Sequence, residues 1–118
     1  MITARIDDFV AGDNVSIERT VTIPSGVSIQ TAWLTVKRRY SDIDPDAIIS
    51  KLITSVLSTD GKITGTGLLF KLTPEDTSIL TALSEYPYSI KLKYSDTTVS
   101  TFYGGIIMAL PAVKQGST

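Results

Sequence analysis

Residues 86–95, YPYSIKLKYS, alternate between two sides of the chain over ten positions, and no other stretch restricts the fold as much. Tyr86, Tyr88, Ile90, Leu92 and Tyr94 share one side, and Pro87, Ser89, Lys91, Lys93 and Ser95 share the other. Successive side chains of a strand point to opposite faces, so this pattern predicts a strand with one face in a core. Aromatic and β-branched residues suit such a half-buried pleated surface. The four residues Ser95, Asp96, Thr97 and Thr98 then read as a hairpin turn into a last strand over 99–110. The pair Gly104-Gly105 is expected to bulge or bend that strand midway.

The same period recurs upstream. In 15–23, Val15, Ile17, Val21 and Ile23 share a side with Arg19, and Pro24-Ser25-Gly26 ends the strand as a turn. In 31–40, Ala32, Leu34 and Val36 oppose Trp33, Thr35, Lys37 and Arg39. If the first set is core, Trp33 points outward. Residues 65–72, GTGLLFKL, supply another short strand.

Residues 46–58, DAIISKLITSVLS, allow two readings. Ile48, Ile49, Leu52, Ile53, Val56 and Leu57 form one helical stripe, with Asp44-Pro45 to start it and Asp60-Gly61 to stop it. The β-branched content, Ile48, Ile49, Ile53, Thr54 and Val56, instead favours a strand, and that reading is preferred.

One segment breaks the β pattern. Thr73 is a good N-cap, Pro74 suits the first helical position, and Glu75 and Asp76 place negative charge beside the positive end of a helix. The spacing predicts two or three helical turns over 74–83, with Ile79, Leu80 and Leu83 covering one end of a core. About seven strands and one short crossover helix make an all-β domain, a β-sandwich spanning 1–118 with a flexible tail at 112–118.

Composition removes most chemistries. Among 118 residues there is no Cys and no His, which excludes thiolate nucleophiles, Cys/His zinc sites and Ser-His triads. A formal net charge of −1 gives no field that would draw nucleic acid or anionic lipid, so neither nucleic acid nor membrane is expected as a partner. The amino terminus lacks a basic segment followed by an apolar run, and the longest apolar stretch, 106–113, is too short to span a bilayer. The expectation is cytoplasmic synthesis of a soluble, non-enzymatic protein without cofactor or small-molecule substrate.

The order of FVAGDNVSIERTV, AWLTVKRRYSDIDPDAIISK, FKLTPEDTSIL, YPYSIKLKYSD and STFYGGIIM resembles the immunoglobulin-like module at the amino terminus of phage baseplate upper proteins and related small tail proteins. The resemblance covers nearly the whole chain. It implies an immunoglobulin-like sandwich, with the 74–83 helix at a corner that a tyrosine often anchors. It also implies a virion building block that docks a larger assembly and works beside other virion proteins as a homo-oligomer. The resemblance is to that module alone and not to the long carboxy-terminal part that follows it in those proteins.

Asp42, Asp44 and Asp46 alternate at a spacing open to calcium ligands, but Ala47 and Ile53 stand where an EF-hand needs glycine and glutamate, which favours a solvated acidic loop. Lys37-Arg38-Arg39 lacks the aromatic row that stacks bases, and reads as a strand end paired with that acidic loop. Tyr86, Tyr88 and Tyr94 read as core rather than a sugar platform, since Ile90 and Leu92 continue their face. Trp33 is either the core tryptophan of the sandwich or an outward anchor, and its register with Lys37 and Arg39 favours the second. Trp33, Lys37 and Arg39 are therefore the candidate interface. The expected function is a phage tail or baseplate docking module. The alternatives are a capsid cement protein clamping through residues 1–8 and 111–118, and a carbohydrate-binding module of a host-recognition device.

Overall fold

The computed structural model describes residues 2–39 and 47–111. Among them are eight strands: β1 (Ile2–Thr3), β2 (Val15–Thr20), β3 (Ile29–Val36), β4 (Ile49–Ile53), β5 (Gly61–Thr64), β6 (Gly67–Leu72), β7 (Tyr86–Tyr94) and β8 (Val99–Ile107). One helix, α1 (Pro74–Ser78), joins β6 to β7. The strands form a five-stranded sheet ordered β1-β8-β7-β3-β4 and a three-stranded sheet ordered β2-β6-β5. This is the expected all-β sandwich. In the immunoglobulin-like scheme β2, β5 and β6 take the places of strands B, D and E, and β3, β7 and β8 those of C, F and G. The acidic run at 42–46 and the tail at 112–118 lie outside the described residues.

The alternation read from the sequence sets the core. Tyr88, Ile90 and Leu92 on β7 and Ala32, Leu34 and Val36 on β3 are buried against Ile17 of β2 and Leu68, Phe70 and Leu72 of β6. Tyr86, Tyr88 and Tyr94 are all buried, as expected for core tyrosines. A hydroxyl also ties the two sheets: Tyr103 Oη on β8 donates to Thr20 O at the end of β2, 2.7 Å away.

Two strands escape the sequence reading. β5 has four residues, and the Asp60-Gly61 that opens it looks like a helix stop. β1 has two residues and pairs in parallel with β8. The chain after it continues along β8, with Ala4 N–H donating to Gly104 O and Ile6 N–H to Ile106 O, while Ile6 and Phe9 enter the core. The glycine pair serves this approach and does not bulge β8. Gly104 and Gly105 stay in register with Ser89 and Tyr88, and the register slips instead at Phe102, between the Ile90–Tyr103 and Lys91–Thr101 pairs. Gly105 has φ +150, and a Cβ there would stand 2.5 Å from Ala4 O.

The described part of this segment, 47–58, contains the strand Ile49–Ile53 and no helix. β4 turns Ile49 and Ile53 into the core, whereas Val56 and Leu57, which the helical stripe would bury, stand exposed in the following loop. The helix that does form is shorter than expected. Thr73 Oγ1 accepts from Asp76 N–H while Asp76 Oδ2 accepts from Thr73 N–H, a reciprocal capping box, and α1 begins cleanly. Beyond Ser78 the Ile79 and Leu80 N–H groups tighten onto the Asp76 and Thr77 carbonyls, and later donors leave the helix: Thr81 N–H donates to Tyr86 Oη at 2.9 Å, and Leu83 N–H to Ala109 O at 2.8 Å. The Tyr86 bond is the anchor expected of a tyrosine at this corner. Of the three apolar residues expected to cover the core, only Leu80 does so, and Ile79 and Leu83 are exposed.

Lys51 departs from the rule that charges face outward. It alternates with Ile49 and Ile53 on the inward side of the edge strand β4, and its Nζ reaches Asp76 Oδ2 at 2.6 Å and Asp60 Oδ1 at 3.7 Å. An inward charge on an edge strand also discourages pairing with another sheet. Burial pushes the Asp76 carboxyl up, but the Lys51 ammonium and the Thr73 donors outweigh it and hold the group below the usual carboxylate value. A carboxylate with a depressed folded pKa contributes stability that is full above its unfolded pKa, about 3.9, and is lost as pH falls through the folded value. Lys51→Met is expected to cost about 1–2 kcal/mol at pH 7, because Asp76 loses its cation. The mutant should also lose less further stability than wild type between pH 5 and pH 2. Urea unfolding at both ends of that range checks it, and equal stability at pH 7 would mean the pair contributes nothing.

Candidate functional site

The outer face of the five-stranded sheet carries the residues that the fold does not use. On β3, Ala32, Leu34 and Val36 fill the core, so Trp33 and Thr35 face out and are half-buried. The register then decides what Trp33 meets: Leu52 on β4 to one side and Lys91 on β7 to the other. Lys91 is followed by Thr101, and Lys93 stands opposite Val99, both on β8. Trp33, Thr35, Ser50, Lys91 and Val99 line a shallow recess of about 310 Å³. Leu52 is 47% exposed and Val99 59%, so the recess has apolar rims open to solvent. Neither Lys91 nor Lys93 pairs with a described carboxylate.

The sequence-based trio is only partly assembled. Trp33 takes the outward alternative and is not the core tryptophan of the sandwich. Lys37 lies just past β3 and lines a smaller recess with Thr35, Pro87, Tyr88 and Ser89, and its N–H donates to Pro87 O at 3.0 Å. Arg39 stands exposed beyond the end of β3 and does not line the Trp33 recess. Leu52, Lys91 and Val99 were missed. Lys91 sits on the polar side of the alternating stretch, but its place beside Trp33 depends on β7 pairing with β3, which alternation alone does not specify.

A wider recess of about 480 Å³ lies on the outer face of the smaller sheet, where Gly67 leaves a gap between Thr20 and Thr64. Glu18 and Lys62 both line it, and it has no aromatic residue. No group of three or more His, Cys, Asp or Glu capable of holding a metal ion occurs among the described residues. Groups with shifted titration sit at structural contacts. Hydrogen bonds to Glu85 and Asp7 raise the Arg5 guanidinium, Thr98 lowers Asp96 within its turn, Thr81 N–H lowers the Tyr86 hydroxyl, and burial raises that of Tyr88.

What the Trp33 face can do is bind by contact. An aromatic residue within an apolar patch, ringed by charge that is not neutralised locally, has the composition of an interface anchor with its rim. No helix among the described residues is long and apolar enough to cross a membrane. Neither the known protein-family models nor the curated proteins match this chain.

Proposed function

We propose that this protein is a non-enzymatic structural component of a phage virion, a small docking module of the tail or baseplate that acts through protein contacts. The observation that carries the docking role is the outward Trp33 between exposed Leu52, exposed Val99 and the unpaired Lys91. A one-sided antiparallel sheet ordinarily turns a polar face to water, and this face departs from that pattern at its centre. The placement in a virion draws its support from the ordered sequence segments that resemble the baseplate module. The capsid-clamping alternative is less well supported, because described residues of the 1–8 arm it needs run along β8 of their own chain, with Ile6 in the core. The carbohydrate alternative loses the platform of Tyr86, Tyr88 and Tyr94, since all three are buried.

The test is incorporation. The protein should band with gradient-purified particles of the phage that encodes it. Trp33→Ser should fold but be depleted from those particles roughly tenfold or more, the size expected for loss of an interface anchor. Absence of the wild-type protein from particles, or undiminished incorporation of the variant, would overturn the reading.

A further inference from the structure

Leu83 is in the left-handed backbone region, with φ 64, and its side chain is 62% exposed. Glycine or asparagine adopts that conformation more easily than a branched apolar residue, and the fold gains no burial from the leucine side chain. Its backbone is nevertheless fixed, because Leu83 N–H donates to Ala109 O. Ile79, four residues earlier, is 43% exposed. Strain retained at an exposed apolar residue is a reason to look for a partner that covers it.

The surroundings indicate which partner. Residues 72–90 contain no Lys or Arg; of their three carboxylates Asp76 is paired with Lys51, which leaves Glu75 and Glu85 as the acidic neighbours of Ile79 and Leu83 in the sequence. Glu75 is exposed, and Arg5 bridges Asp7 and Glu85 into a group that remains net negative. The Trp33 face has the opposite character, with apolar rims and the unpaired Lys91 and Lys93. Two copies joined face to face would set these lysines against each other, which opposes a symmetric contact through that face. Within one chain the two patches cannot meet, since Leu83 is tied to Ala109 beyond the end of β8 and Trp33 lies within β3 on the broad outer face.

We propose that the Trp33 recess receives the Leu83 and Ile79 knob of a second copy of this chain. The proposal rests on the protein-docking reading above and names its partner. The contact joins different patches on the two copies, so repetition gives a ring if the rotation closes and a filament if it does not.

Light scattering after size exclusion, over a concentration series at low and physiological salt, tests it. Wild-type mass should rise with concentration and fall with salt. Leu83→Asn should weaken association at least tenfold while leaving the melting temperature unchanged or higher, because asparagine relieves the backbone. Lys91→Glu with Lys93→Glu should weaken it comparably and remain folded by circular dichroism. Mixed together, the two variants should form a one-to-one heterodimer, since the first keeps an intact face and the second an intact knob. A wild-type monomer up to about 1 mM, a range that covers ordinary specific affinities, overturns the proposal. So does Leu83→Asn associating like wild type, or a mixture that stays monomeric. If the wild type is monomeric while Trp33→Ser still fails to enter particles, only the identity of the partner is wrong. If the variant enters normally, the docking reading fails as well.

Discussion

Gly61→Ala is expected to remove about 3–5 kcal/mol of stability, a large part of the 5–15 kcal/mol typical of a folded domain. Gly61 has φ +132, and a Cβ built there would stand 1.8 Å from Leu69 O and 3.2 Å from Ile53 Cγ2. The first distance is well inside contact between non-bonded atoms, and the obstacle is backbone, which no rotamer change can move. Gly61 pairs with Phe70 in the β5–β6 ladder, so accommodating the methyl group means parting those strands above a core that includes Ile63, Leu68 and Phe70. The melting temperature should fall by more than roughly 10 °C. Gly26→Ala is the control: its φ is +83, yet nothing lies within 4 Å of the added Cβ, so only the conformational cost of about 1–2 kcal/mol applies. The difference between the two variants, read by urea unfolding, isolates the close approach. Equal losses would show that backbone conformation alone matters at Gly61.

The stretch from Tyr86 was legible because every inward residue of β7 enters the core and the period is unbroken from Tyr88 to Tyr94, with buried Pro87 its one exception. Short elements gave no such signal. β5 offers one buried aliphatic residue, Ile63, and β1 is recruited by a parallel neighbour 101 positions later, made accessible by Gly105. Periodicity misled over 46–58, where six apolar residues fit a helical stripe although two of them, Val56 and Leu57, belong to a loop. The start of α1 was read correctly, since capping depends on residues within one turn. Its end was not, since Tyr86 and Ala109 capture the donors from a distance.

The candidate face follows the same division. Alternation within β3 turned Trp33 outward, and that much is local. Leu52 could be placed beside it only after 49–53 was known to be a strand, and Lys91 and Val99 only after the order β3-β7-β8 was known. Leu83 as an exposed knob contradicts the pattern that suggested it would be buried. Its exposure follows from the early end of α1, and its left-handed backbone has no signature in the residues around it.

Thr77→Val is expected to cost about 2–3 kcal/mol, although valine has nearly the shape of threonine. Thr77 is fully buried, and its hydroxyl accepts from Gly12 N–H at 3.0 Å and lies 2.7 Å from Asp13 O, to which it donates. Valine would remove both hydrogen bonds from a side chain that is fully buried, and a polar group that loses its partner costs more than a hydrogen bond contributes on balance. Thr77→Ser keeps the hydroxyl and should lose about 1 kcal/mol for the missing methyl group. The consequence should extend beyond α1. Gly12 and Asp13 form the turn between the segment running along β8 and the start of β2, so releasing them should loosen residues 2–11 before the sandwich unfolds. Hydrogen exchange at Gly12, and proteolysis within the first ten residues, should therefore accelerate more in Thr77→Val than global stability accounts for. A variant that exchanges and unfolds like wild type would remove the lock. The short helix then has a purpose that covering the core does not explain: through Thr77 it fixes the turn that delivers Ile6 and Phe9 to the core, and through Asp76 it holds Lys51 of the edge strand. One capped turn suffices for both contacts, which is why the chain can turn away at Ile79 and leave Leu83 to solvent.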